Sequence, residues 1–210
     1  MTDPAYLEGL ACAFYEECGA DPSRPVSPFV LARRALGPDA IIRPPTMIAS
    51  PAVLLMANGS ERIAIKRSVP RRSAAFMVGH ELAHWILRRD RYDGDDEERD
   101  ASYLAGCLLA PRPAFQSALR HVGPDFADLA EVFAADETFA ALRESEVTGK
   151  PRVVLARSFA WVRGDAWSWP DEHRLRTWAR GRPGPGVRKT RLSDKPQRFV
   201  LDVEDLEDAG

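Results

Sequence analysis

The stretch Phe76-Met77-Val78-Gly79-His80-Glu81-Leu82-Ala83-His84-Trp85-Ile86-Leu87 decides how this chain is read. His80 and His84 stand four residues apart with Glu81 beside the first, the His-Glu-x-x-His pattern. On a helix that spacing puts both imidazoles on one face, about 6 Å apart along the axis, because each residue rises about 1.5 Å. Two such nitrogens suit Zn²⁺, which in catalytic sites takes three protein ligands and keeps one position open. Glu81 falls on the neighbouring edge, where its carboxylate can reach a water molecule rather than the metal and act as general base. The plain alternative is a surface helix whose histidines merely flank an apolar stripe. Phe76, Met77, Leu82, Trp85, Ile86 and Leu87 weigh against it. They make the helix apolar on most sides, and histidines buried in such an element need a partner.

Working outward, the pattern upstream is mixed. Residues 5–18 carry apolar positions at helical spacing, with Gly19 as a stop, and 29–36 reads as a short helix closed by Gly37-Pro38. Ile41–Arg43, Ala52–Ala57 and Arg62–Lys66 favour strands, and Asn58-Gly59 between the last two is a hairpin signal. Ser68 is the expected cap of the motif helix, with Pro70 in its first turn and Arg88-Arg89 at its basic end. Downstream, the charged run Asp90–Asp100 leads into a helix over 96–109, stopped by Pro111 and Pro113. Shorter helices are expected at 115–122, 126–133 and 136–143, the last capped by Asp136.

The third metal ligand has to come from another element. Ala101, Leu104, Ala105 and Leu108 form a small and apolar face able to pack close to the motif helix. Glu98, three before Ala101 and seven before Ala105, shares that face, whereas Glu97 is rotated by about 100°. Glu98 is therefore the leading candidate, with Glu97 and a remote histidine (His121, His173) or aspartate as alternatives. Asp95-x-x-Glu98 also matches a capping box, which would give Glu98 a purely structural duty. The acidic run over 93–100 lacks the ligand order of a calcium loop and reads as a solvated loop.

The block FMVGHELAHWIL at 76–87, followed by ERDASYLAGCLLAP at 98–111, resembles the ImmA/IrrE family of metallopeptidases. That family pairs a His-Glu-x-x-His helix with a later helix of the form Glu-x-x-Ala-x-x-Phe-Ala-x-x-Leu-Leu-x-Pro. Here Leu104-Ala105 stands where Phe-Ala is usual. By position, the resemblance implies zinc on His80, His84 and Glu98, with Glu81 as catalytic acid/base. The lead-in IAIKRSVPRRSAAF and the helix-turn-helix-like segment at 129–144 resemble the family too, so the likeness covers roughly residues 5–145. It implies an α+β fold with a mostly helical, zincin-like metallopeptidase core and a small β-sheet, and the change of sequence character after Gly149 bounds that core as residues 1–149. Residues 150–210 follow as a small β-rich part with an acidic tail. The implied function is a zinc-dependent endopeptidase (a hydrolase) acting on a specific protein, such as a helix-turn-helix repressor. A fused N-terminal DNA-binding domain is not expected, so a repressor would be a separate partner. The alternative is a catalytically silent, metal-stabilised interaction module regulating an antitoxin or transcription factor.

Composition narrows the partners. A chain of 210 residues with 45% hydrophobic and 29% charged residues can bury a core, and a net charge of −2 gives no support to nucleic-acid or anionic-membrane binding. The start of the chain lacks a secretory pattern and no apolar run is long enough to span a membrane, so a cytoplasmic protein is expected. Three cysteines at unrelated spacings fit a reducing compartment, with Cys107 a core residue. After Gly149, Arg152–Ala156, Phe159–Val162 and Gln197–Val203 read as strands, 164–170 as an aromatic turn and 171–178 as a short helix. Trp161, Trp167, Trp169 and Trp178 interleave with Arg163, Arg174, Arg176 and Arg180. This mixture fits the core and rim of a small β-domain better than a nucleic-acid or proline-rich-peptide grip. The basic stretch 182–195 reads as a mobile loop. Tyr92, Arg99, Tyr103 and His121 are oxyanion-stabilising candidates by chemistry alone.

Overall fold

The computed structural model describes residues 3–44, 48–57, 59–94, 96–150, 152–155, 160–163, 187–194 and 198–203. The aromatic turn expected at 164–170, the helix at 171–178, residues 182–186 and 195 of the basic stretch and the acidic tail lie outside the described residues. Among the described residues, seven helices and two small sheets occur, giving a mixed α+β fold with a predominantly helical core. In chain order the elements are α1 (Pro4–Glu17), α2 (Pro28–Leu36), β1 (Ile41–Ile42), β2 (Ala52–Ala57), β3 (Ser60–Ile65), α3 (Arg71–Arg89) and α4 (Glu97–Leu109). Then follow α5 (Arg112–Val122), α6 (Phe126–Val132), α7 (Glu137–Thr148), β4 (Arg152–Leu155), β5 (Ala160–Arg163), β6 (Val187–Arg191) and β7 (Phe199–Val203). None of these helices is long and apolar enough to cross a membrane.

The chain divides into two compact units, residues 1–118 with 133–135, and residues 119–132 with 136–210. In the first, β2 and β3 form the hairpin that Asn58-Gly59 announces, paired from Ala52↔Ile65 to Ala57↔Ser60, and Gly59 takes a positive φ of 75° at the turn. β1 joins β3 in parallel, so the sheet order is β1-β3-β2 and β2 is an edge. The motif helix α3 lays one face on the interior: Ala74, Val78, Leu82, Ala83, Ile86 and Leu87 are fully buried. Each large member contributes about 1.5–3 kcal/mol through removal of apolar surface from water. Ser68 does not cap α3. Pro70 takes that position with an extended ψ of 146° and no side-chain bond, and Ser68 sits in the preceding turn, where Val69 N–H donates to the Lys66 carbonyl.

The next helix, α4, packs on α3 through the small face expected of it. Ala101, Leu104, Ala105 and Leu108 are fully buried. A Cβ added at Gly79 would lie 3.4 Å from the Ala105 carbonyl oxygen, so the two helices run close at that point. Cys107 is a core residue, as expected. From α1, the buried Tyr15 hydroxyl donates to the Leu108 carbonyl at 2.8 Å, satisfying one of the last carbonyls of α4, and burial pushes this phenol's pKa up. α4 is capped by Asp96, whose carboxylate accepts from Arg99 N–H at 3.1 Å, so the structure does not assign Glu98 the reach-back position of a capping box. Asp100 departs from the solvated-loop reading of its neighbourhood: it is buried and accepts from the Tyr92 hydroxyl.

In the second unit, α6 and α7 accompany a four-stranded antiparallel sheet of order β5-β4-β7-β6. Asp136 caps α7, accepting from Phe139 N–H at 2.9 Å, and Gly149 closes it in the left-handed conformation. Glu137, buried at the start of α7, accepts the N–H groups of Ser193 and Asp194 and the Ser193 hydroxyl, while Asp194 accepts Glu137 N–H. The basic stretch is not a loop throughout: Val187–Arg191 is strand β6, paired along its length with β7. Its charges hid it from a pattern search, yet an edge strand needs only a main-chain ladder, and cations along it discourage further pairing.

Candidate metal centre

α3 delivers His80 and His84, and α4 delivers Glu98, with one possible ligand atom from each lying within 4.8 Å of the others. The His80 and His84 Nε2 atoms are 3.2 Å apart; His80 Nε2 lies 3.3 Å from Glu98 Oε2 and His84 Nε2 lies 3.3 Å from Glu98 Oε1. The rings meet edge to face, with centroids 4.7 Å apart. Both histidines are largely sheltered while Glu98 is 78% exposed, so the cluster lies at the surface of its unit and open on the carboxylate side.

The opposite nitrogens are also engaged. His84 Nδ1 lies 2.7 Å from Glu97 Oε1, and His80 Nδ1 lies 3.4 Å from the Ser102 hydroxyl. Glu97 accepting from Nδ1–H fixes the His84 tautomer that leaves the Nε2 lone pair directed at the cluster. One stretch of α4, residues 97 to 102, therefore supplies a carboxylate to the cluster and a partner for each ring. The donor set of two imidazoles and a carboxylate is chemically suited to zinc, and the cluster could hold a metal ion. Burial lowers the His80 pKa, the neighbouring His84 lowers it further and Glu98 opposes them, which keeps the ring in the neutral, ligating form.

Glu81 is held from the sheet side: its Oε2 accepts Leu54 N–H at 2.7 Å. Lys66 N–H donates to the Pro51 carbonyl, and the register then puts Val53, Leu55 and Ala57 in hydrogen-bonded pairs with β3. Leu54 N–H thus points off the free edge of β2, where Glu81 meets it. Among the alternatives for the third ligand, Glu97 is on the Nδ1 side of His84 instead, His121 belongs to the second unit, and His173 lies outside the described residues. The Tyr92 and Tyr103 hydroxyls donate to Asp100 and Glu8, and Arg99 is exposed in the first turn of α4. Pattern reading did not assign Ser102, Leu54 N–H or the partner role of Glu97. Ser102 had one usable signal, its four-residue spacing from Glu98; Leu54 had none, because a main-chain donor leaves no mark in residue type.

A helix bearing His-Glu-x-x-His, a second helix carrying Glu98 and a small flanking sheet make up a candidate metal centre on a domain of the metallopeptidase kind. The chain belongs to the family of the IrrE N-terminal-like domain, peptidase family M78, whose model matches residues 40–145. Among solved structures it is similar to a protein titled Mycobacterium tuberculosis transcriptional regulator, with a TM-score of 0.60 at 15% identity over 93% of this chain and 86% of that one. At that identity the likeness concerns the fold. No curated protein matches the chain.

Proposed function

We propose that the protein is a zinc-dependent endopeptidase that regulates by cutting one specific protein partner. The observation that carries this reading is the meeting of His80, His84 and Glu98 on two packed helices, with Glu81 in the adjoining turn position of α3. His80, His84 and Glu98 would hold the ion, and Glu97 and Ser102 would keep the rings aimed. When bound, zinc supplies Lewis-acid polarisation of the peptide carbonyl and makes water acidic enough to react near neutral pH. Glu81 would take a proton from the attacking water as the new C–O bond forms and pass it to the departing nitrogen as the C–N bond breaks. The family resemblance suggests a separate helix-turn-helix repressor as the substrate. The fold shared with a protein titled transcriptional regulator supports a place in regulation, and the proposal sets the protein in the cytoplasm.

A second reading has its own support. The Glu81 carboxylate accepts Leu54 N–H, which anchors it to β2 and makes it part of the fold as well as a base. A catalytically silent, metal-stabilised module that binds and regulates a partner would use the same fold and the same ion. Incubating zinc-loaded protein with a small helix-turn-helix protein encoded beside it separates the two. Cleavage by the native chain and none by Glu81→Gln supports the peptidase; stable binding without cleavage by either supports the silent module.

A further inference from the structure

The half-exposed face of α3 continues beyond the metal centre. Steps of four back from His80 reach Phe76 and then Arg72. The Phe76 ring stacks on His80 with centroids 6.4 Å apart, and Arg72 is exposed, as are Arg67 and Arg71. These cations lie where β3 passes through Lys66-Arg67 into α3, and β1, paired in parallel with β3, ends beside them at the exposed Arg43. No Asp or Glu occurs from 40 to 60 or from 62 to 80. Among the described residues, no carboxylate is within ion-pair distance of Arg67, Arg71 or Arg72. Arg71 and Arg72 sit in the first turn of α3, where positive charge opposes the helix dipole, so local helix stability does not account for them. At the other end of the site the charge reverses, since α4 opens with the exposed Asp96, Glu97 and Glu98.

We infer that the cluster formed by Arg67, Arg71 and Arg72 is a specificity subsite for an acidic segment of the protein substrate, an assignment that rests on the peptidase reading. Eight residues of helix between Arg72 and His80 span about 12 Å. An extended chain covers that distance in about four residues at about 3.3 Å each. The substrate segment therefore carries Asp or Glu about four residues from the bond presented to the metal centre, with Phe76 as an apolar platform between. The acidic mouth of α4 repels the same charges at the opposite end, so the segment is oriented as well as attracted. The overall charge of −2 and that acidic mouth favour an acidic peptide over the phosphates of a nucleic acid.

The test uses the full chain as the zinc-loaded Glu81→Gln protein, which holds a peptide without cutting it. Labelled short peptides with an apolar centre carry either an Asp-Glu pair or a Lys pair on one side, each made in both orientations, and binding is read by fluorescence anisotropy. The acidic peptide should bind about tenfold more tightly in one orientation, and the preference should fade in high salt. It should invert in the Arg67→Glu/Arg71→Glu/Arg72→Glu protein while zinc content is kept. The milder Arg67→Gln/Arg72→Gln protein, in which the preference should shrink, serves if the triple reversal unfolds. Equal binding of the two peptides, or a preference untouched by these substitutions, overturns the subsite. So does tighter binding of a short DNA duplex that the same substitutions abolish. Charge-selective binding with no cleavage by the native chain sinks the peptidase reading and leaves the arginines a binding site for an acidic segment of a partner, no longer a substrate subsite, so the two failures are distinct.

Discussion

Glu97 Oε1 lies 2.7 Å from His84 Nδ1, so the residue next to Glu98 in the chain steadies a ring whose other nitrogen faces Glu98. Two adjacent glutamates thus take different places around one histidine. Their side chains leave α4 about 100° apart, and only one can point between the two imidazoles.

That division of labour predicts different losses. Zinc should bind at about one ion per chain, and His80→Ala, His84→Ala and Glu98→Ala should each abolish tight binding. Glu97→Gln should weaken it by about 10–100-fold without abolishing it, because an outer partner orients a ligand but is not one. Chelator competition with metal analysis measures both. Full occupancy in Glu98→Ala would remove Glu98 from the ligand set.

Glu81→Gln should separate metal from chemistry. The glutamine carbonyl can still accept Leu54 N–H, so the position of the side chain on β2 survives while its capacity to take a proton is lost. Zinc content and thermal unfolding should match the native protein, and cleavage of the partner should fall by about 10²–10⁴-fold, the usual weight of a general base. Equal cleavage by both proteins would refute the role given to Glu81.

Acid should act through His80. Its pKa in the folded chain is lowered, chiefly by burial and then by His84. Below about pH 6.5, the ordinary histidine value, the unfolded chain binds a proton that the folded chain resists. This site's contribution therefore makes the metal-free protein lose stability as pH falls from about 6.5 toward the lowered folded value, and has no effect above that window. By the same depression, proton competition for zinc at His80 sets in at lower pH than for an ordinary histidine. Denaturation curves of metal-free native and His80→Gln protein across this range check the sign: the native curve should fall more steeply with acid.

Side-chain patterns made much of this legible in the sequence. The spacing of His80 and His84, the small residues Ala101 and Ala105 and the turn at Asn58-Gly59 all state local geometry that no distant contact overrode. What stayed hidden depended on main chain or on competition between neighbours. Pro70 displaced Ser68 as the start of α3 because a residue before proline, here Val69, is steered away from helical φ and ψ. β6 carries Arg188, Lys189 and Arg191 in place of an apolar alternation, and it is held by its main-chain ladder with β7, the next strand. Leu54 reaches Glu81 through a peptide N–H, which any residue but proline would provide.

Gly79 offers the sharpest test of how packing sets the site. An added Cβ would meet the Ala105 carbonyl oxygen at 3.4 Å and the Ala105 Cα and Cβ at 3.7 Å, which is ordinary contact. Gly79→Ala should therefore be tolerated, and relief of the glycine penalty, up to about 1 kcal/mol in a helix interior, can offset any tightness. Valine is different, since its two methyl groups extend past Cβ into the space Ala105 fills. α4 must then move outward or bend, at a cost of about 1–3 kcal/mol. Glu98 lies seven residues before Ala105, about two turns along the same face, so outward movement draws its carboxylate away from His80 and His84. Gly79→Val should then lower zinc affinity by more than tenfold although it touches no ligand, and the rise in unfolding temperature on adding zinc should shrink with it. Ala105→Gly in the valine background should restore part of both, a coupling that a double-mutant cycle measures. A Gly79→Val protein that is less stable yet binds zinc with native affinity would show that the close approach of α3 and α4 is not what sets Glu98 against the two histidines.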